Sequence, residues 1–129
     1  MMVADPVPAR DVSRETSDRL ATLAGLVRKW TPAINLIARS TVDRIEDRHI
    51  ADSAQLFDLA PGGCRTWVDL GAGAGFPGLV VAALAAERRP DLRVTLVESD
   101  RRKAAFLMTA ARAMDLDVRV IADRAEATP

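Results

Sequence analysis

Two carboxylates bracket a run of glycines in this sequence. Asp69 stands two residues before Gly71, and Gly73, Gly75 and Gly78 follow within the next seven positions. Glu98 lies twenty residues beyond Gly78. Glycines at this density let backbone approach a ligand closely, and a helix starting behind them offers unpaired N–H groups and a positive dipole end. An acid placed like Glu98 can accept hydrogen bonds from both ribose hydroxyls of an adenosine. The chemistry these residues could do together is the holding of a nucleoside cofactor. S-adenosylmethionine and NAD both carry such a ribose, and the spacing leaves the two open. Gly73-Ala74-Gly75-Phe76-Pro77-Gly78 fits the dinucleotide fingerprint G-x-G-x-x-G. Read from Gly71, which directly follows the apolar run, the pattern is G-x-G-x-G with Phe76 in sixth place. An acid at Asp69 suits the ammonium of a methionine-type cofactor better than it suits a pyrophosphate.

Other residues carry weaker signals. His49 is the only histidine, and with Arg48 and Asp52 it invites an acid-base role; a hydrogen-bonded packing role suits a lone histidine on a mixed helix better. Cys64, the only cysteine, rules out an internal disulfide, and no electropositive partner marks it as a nucleophile. No second His or Cys offers metal-ligand spacing. Arg101, Arg102 and Lys103 form a basic cluster that fits RNA phosphates and a solvated helix face equally. Arg88 and Arg89 suit the C-terminal end of a helix.

The elements that must position the glycines can be read from periodicity. Residues 1–12, with Pro6 and Pro8, are predicted to form a flexible tail. From Ser13, Leu20, Leu23, Val27, Trp30 and Ile34 recur at spacings of three and four, giving an amphipathic helix with Asp11 or Ser13 as its N-cap and Pro32 near its end. A second helical region is predicted from Ser40 or Thr41 to Leu59, with Ile45, His49 or Ile50, Ala54 and Leu56 or Phe57 sharing one face. Pro61-Gly62-Gly63 marks the one internal boundary, between a helical region at 13–63 and a cofactor-binding half at 64–129.

Past that boundary strands and helices alternate. Thr66 to Leu70, Arg93 to Glu98 and Val118 to Ala122 read as strands. Phe76 to Arg89, with Pro77 in its first turn, and Asp100 to Met114, capped by Asp100, read as helices. On the second helix Ala104, Leu107, Met108 and Ala111 should be buried. This alternation implies a parallel sheet in the order 3-2-1. The first strand then has an open edge, which a missing remainder of the sheet, another copy or another protein would cover.

With 129 residues, 49% of them apolar, and a formal charge of zero, the chain reads as one soluble globular domain. Neutrality argues against wholesale electrostatic binding to nucleic acid and leaves room for a local basic patch. No apolar run approaches the roughly 20 residues of a membrane span, and no signal-peptide pattern opens the chain, so a cytoplasmic location is the simplest expectation.

Asp69-Leu70-Gly71-Ala72-Gly73-Ala74-Gly75-Phe76-Pro77-Gly78, preceded by Arg48-His49-Ile50-Ala51-Asp52-Ser53 and followed by Val97-Glu98-Ser99, resembles the glucose-inhibited division protein B family, also called ribosomal RNA small-subunit methyltransferase G. Trp30 with Asn35-Leu36, Lys103 with Phe106-Leu107, and Arg124-Ala125-Glu126 fall where that family has similar residues. The resemblance runs from Leu20 onward, and its most specific part is Gly75-Phe76-Pro77-Gly78 combined with Arg48-His49-Ile50 and Asp52-Ser53. Ala72 departs from it, standing where the family often has Ser or Thr. The family's later strands, with an Arg after the fourth that resembles a cofactor contact, have no counterpart in these residues.

The resemblance implies a Rossmann-like S-adenosylmethionine-dependent methyltransferase fold of the α/β class, with an incomplete parallel sheet and an N-terminal helical region. It implies methyl transfer to N7 of a guanine in small-subunit ribosomal RNA, with activity of this length alone not expected. By position, Gly71 and Phe76 would line the methionine and ribose side through their backbone, Gly73 and Gly75 would shape the loop, and Glu98 would hold the ribose. Ala125 and Glu126 would lie against the adenine. A dinucleotide-binding oxidoreductase domain, which would take NAD, and a non-enzymatic assembly module using the open sheet edge are the competing readings.

Overall fold

The computed structural model of the chain describes residues 12–124. Asp11, the residues of the predicted tail before it, and Ala125 and Glu126 lie outside the described residues.

Helix α1 spans Arg14–Ile34. Ser13 caps it: the hydroxyl oxygen accepts from the Thr16 N–H at 3.2 Å, satisfying one of the donors a helix start leaves unpaired. Asn35 ends it in the left-handed conformation, φ 56°, and returns its N–H to Thr31 O. The predicted stripe is buried at Leu20, Leu23, Val27 and Ile34, while Trp30 is half-buried and meets Phe106 edge to face, with ring centroids 5.6 Å apart.

The second helical region is not one helix. It runs as a 3₁₀ stretch at Arg39–Arg44, a π stretch at Ile45–Ile50 and α2 at Ala51–Asp58. Ile45 and Ile50 are both buried, and five residues of separation places two side chains on one face only if the turn is widened. The Ala51 N–H accordingly bonds to Glu46 O, five residues back. Ala54 and Phe57 continue the buried face, and Leu56 points outward, 46% exposed.

The rest is a three-stranded parallel sheet in the order β1-β2-β3, made of Thr66–Leu70, Arg93–Val97 and Arg119–Ile121. The arrangement is Rossmann-like, as the alternating pattern predicts. Helix α3, Gly78–Arg88, connects β1 to β2, and α4, Arg101–Ala113, connects β2 to β3. The first connecting helix begins two residues later than the sequence suggests, because Phe76 and Pro77 belong to the turn; their peptide bond is cis. On α4 it is Phe106, fully buried, that joins Ala104, Leu107 and Ala111, while Met108 is 44% exposed. Helical spacing puts Met108 with Ala104 and Ala111, but the buried face is centred on Phe106, Leu107 and Ala110, which leaves Met108 at its edge.

Helix α1 lies across α3 and α4 on the side away from the sheet. Its start is tied to α3, where Glu87 Oε1 accepts from Thr16 Oγ1 at 2.6 Å and from the Ser13 N–H at 2.9 Å. Further along, Arg19 Nε donates to Met114 O at the end of α4, 2.9 Å away. One continuous core results, running from Leu20 and Val27 through Leu79 and Leu84 to Leu96, Phe106 and Met114. Arg89 closes the boundary loop, its guanidinium donating to the carbonyls of Pro61, Gly62 and Cys64.

Candidate cofactor site

The glycine loop sits at the C-terminal ends of β1 and β2, where open α/β sheets bind ligands. Gly71, Gly73 and Gly75 have φ of 73°, 51° and 91°, so the turn is built from conformations that side chains avoid. The need is sharpest at Gly75, where an added Cβ would also lie 2.6 Å from Leu79 Cδ1. Gly78 is required for a different reason: a Cβ there would run into Leu96 Cδ2 and come within 2.7 Å of Asp69 Oδ2. It lets α3 press onto the face of the sheet that carries Asp69 and Leu96.

Both acids are already engaged with the loop. Asp69 Oδ2 accepts from the Gly78 N–H at 3.0 Å and so caps the start of α3. Glu98 is only 7% exposed; its Oε1 accepts from the Gly73 N–H at 2.7 Å and its Oε2 from the Asp100 N–H at 2.9 Å. Glu98 thereby binds the crest of the glycine loop to the turn that opens α4. A carboxylate has about four acceptor sites, so two hydrogen bonds leave capacity for ribose hydroxyls. Burial pushes the Asp69 carboxyl above its ordinary range; the Gly78 N–H pulls it back, and the charge of Glu98 pushes it further up.

Hydrogen-bond accounting shows which loop donors a ligand could use. The N–H groups of Gly71 and Ala72 go to Val97 O, that of Gly75 to Ala72 O and that of Leu79 to Gly75 O. Among the described residues the N–H groups of Ala74 and Phe76 have no acceptor. Phe76 can therefore offer a donor to a ligand, whereas Gly71 can offer only its carbonyl. The start of α3 already holds the carboxylate of Asp69, and an anion in that place opposes a pyrophosphate.

His49 reaches this loop from the π stretch. Its ring stacks on Phe76 with centroids 5.0 Å apart and planes inclined by 17°. Its Nε2 is 3.0 Å from Thr41 Oγ1. Burial and the charge of Arg48 lower its pKa, and Asp52 works against them. The sequence names both His49 and Phe76, but no periodicity links them, since they lie on different elements brought together only by the fold.

Arg101 and Arg102 are exposed and Lys103 is half-buried, on the first turn of α4 beside Glu98. Asp100 caps that turn, accepting from the Arg102 and Lys103 N–H groups. A cleft of about 930 Å³ opens elsewhere, at the N-terminal ends of the strands between Arg65, Arg93 and Arg119, remote from the glycine loop. Among the described residues no group of three or more His, Cys, Asp or Glu could hold a metal ion, and no helix is long and apolar enough to cross a membrane.

A profile of the family described as rRNA small subunit methyltransferase G matches residues 16–129. A protein of Cereibacter sphaeroides (strain ATCC 17029 / ATH 2.4.9) named ribosomal RNA small subunit methyltransferase G is 52% identical over 129 residues, covering 100% of this chain and 63% of that relative. Proteins of the same name from Jannaschia sp. (strain CCS1) and Rhodospirillum centenum (strain ATCC 51521 / SW) are 58% and 59% identical over 113 and 115 residues. Those matches cover 88% and 89% of this chain and 54% and 51% of the relatives. The chain thus spans less than two thirds of the length of these relatives.

Proposed function

The chain belongs to the rRNA small subunit methyltransferase G family, and from that premise we propose that its glycine loop is the methyl-donor site of an RNA methyltransferase. The donor is S-adenosylmethionine and the acceptor is N7 of a guanine in small-subunit ribosomal RNA. In this reading residues 64–129 hold the donor and residues 13–63 brace it.

The observation that carries the reading is the position of Asp69. Its carboxylate occupies the start of α3, which a dinucleotide would need for its pyrophosphate, and it leaves an anion beside the loop for the ammonium of a methionine. Glu98 would accept the ribose hydroxyls with its remaining lone pairs, and the Phe76 N–H would donate to the ligand. Gly73 and Gly75 keep the turn in shape, and Ala125 and Glu126 would lie against the adenine. The bound donor would supply an electrophilic methyl group. Guanine N7 carries an in-plane lone pair and no proton, so these residues need no general base, and their task is to hold the reactants in line. Arg101, Arg102 and Lys103, on the rim beside Glu98, would meet RNA phosphates. The open edge of β1 would serve self-association.

Calorimetric titration of the purified chain tests this. S-adenosylhomocysteine should bind saturably, Glu98→Gln should weaken it roughly ten- to hundredfold, as loss of hydrogen bonds to a charged acceptor does, and NADH should not compete. Binding of NADH in preference to S-adenosylhomocysteine would overturn the reading.

A further inference from the structure

His49 has features that simple packing does not require. A side chain that merely filled space beside Phe76 would need no polar atoms, yet this ring is held by hydrogen bonding as well as by its stacked face. Thr41 Oγ1 donates its one proton to Ala38 O at 2.9 Å, so its contact with His49 at 3.0 Å runs the other way, from the Nε2–H to the hydroxyl oxygen. That fixes both the tautomer and the plane of the imidazole. From the backbone side, the His49 carbonyl accepts from Ser53 Oγ at 2.7 Å. The residue also sits in the π stretch Ile45–Ile50, a geometry that is rare and concentrated at functional sites.

The partner ring belongs to Phe76, whose N–H, like that of Ala74, has no acceptor among the described residues. Ring and N–H hang from one Cα, so a backbone change that redirected that donor would have to carry the Phe76 ring off the His49 face. A fixed plate against Phe76 therefore fixes the donor.

We infer that His49 is a positioning residue: held by Thr41 and stacked on Phe76, it sets the conformation of the glycine loop around the methyl donor. The role in donor binding rests on the proposed function; the control of the loop does not. His49 touches no reacting atom. It transmits the packing of the helical region to the loop, which links residues 13–63 to the chemistry of residues 64–129.

The test compares the wild-type chain with His49→Ala and His49→Phe. Phe76 ring-proton shifts and amide hydrogen exchange across residues 71–78 are read without ligand, and S-adenosylhomocysteine affinity is read by calorimetry. His49→Ala should move the Phe76 ring signals, speed exchange at Gly73 and Gly75, and weaken the ligand about three- to tenfold, the scale of a lost aromatic pair. His49→Phe, which keeps a stacked plate but has no atom to bond Thr41, should restore only part of each effect. Loop exchange and ring shifts at wild-type values in His49→Ala would overturn the inference, and so would a His49→Phe chain that matches wild type in every readout. A wild-type chain that ignores S-adenosylhomocysteine would instead strike at the proposed function, while the exchange measurements would still decide the role of His49.

Discussion

At the scale of single residues, the loop is shaped by positions where almost any side chain fails. Gly78→Ala would drive a methyl group into Leu96 and toward Asp69, and should cost about 1–3 kcal/mol, the usual range for overpacking, measurable by urea unfolding. Asp69 offers a complementary test. Its carboxyl is raised by burial, so the native state disfavours the charged form, and that penalty grows as pH rises above the ordinary value of 3.8. Asn at this position can still accept from the Gly78 N–H without carrying charge. Asp69→Asn should therefore match or exceed wild-type stability at neutral pH, with the difference closing below that ordinary value, and should bind S-adenosylhomocysteine more weakly. A variant less stable at neutral pH would show that the charge itself supports the fold. The glycines and both acids are legible in the sequence because residue type and spacing announce them. Their hydrogen-bond partners are not: nothing local says that Glu98 turns to Gly73 and Asp100, or that His49 turns to Phe76.

At the scale of elements, helices and strands with a single clear period are legible, and those with a mixed period are not. Helix α1 and the three strands follow directly from spacing. The stretch from Arg39 to Asp58 does not, because a five-residue step between buried Ile45 and Ile50 breaks the 3.6 pattern and only a π turn reconciles it. The tie between α1 and α3 was equally hidden, since Glu87 reads as an ordinary helix-surface acid. The Thr16 hydroxyl and the Ser13 N–H hold its carboxyl down from 4.5 to about 2. A depressed acid contributes stability that is fully present above its unfolded value and is lost as pH falls through its folded one. Wild type should thus lose this contribution between about 4.5 and about 2, while Glu87→Gln should show a flatter stability profile across that window. Parallel profiles for the two proteins in acid denaturation would show that the α1–α3 tie carries no pH-dependent stability.

At the scale of the whole molecule, strand order was legible because βαβ connections restrict it so strongly. The covering of the sheet was not, because an amphipathic stripe shows that a face must be buried without showing against what. Helix α1 resolves this on one side by lying across α3 and α4. The other side stays open along β1 among the described residues: Val68 is 54% and Leu70 60% exposed, while their register neighbours on β2, Thr95 and Val97, are half-buried and buried. Beside them the outer edge of β1 has no strand partner among the described residues, where β1 pairs with β2 alone. Apolar side chains next to unpaired backbone donors and acceptors form a template for another strand. The purified chain should therefore associate with itself as concentration rises, in sedimentation velocity. Val68→Lys with Leu70→Lys should shift it toward monomer, because two charges on that face cost far more buried than exposed. The same double variant leaves Asp69, Glu98 and the glycines unchanged and alters the sheet face opposite Asp69, so its affinity for S-adenosylhomocysteine should stay within about twofold of wild type, the size expected for surface changes. Dissociation with unchanged ligand affinity would place assembly and donor binding on separate surfaces of one sheet. A parallel loss of both would mean that the site needs its neighbour across the β1 edge.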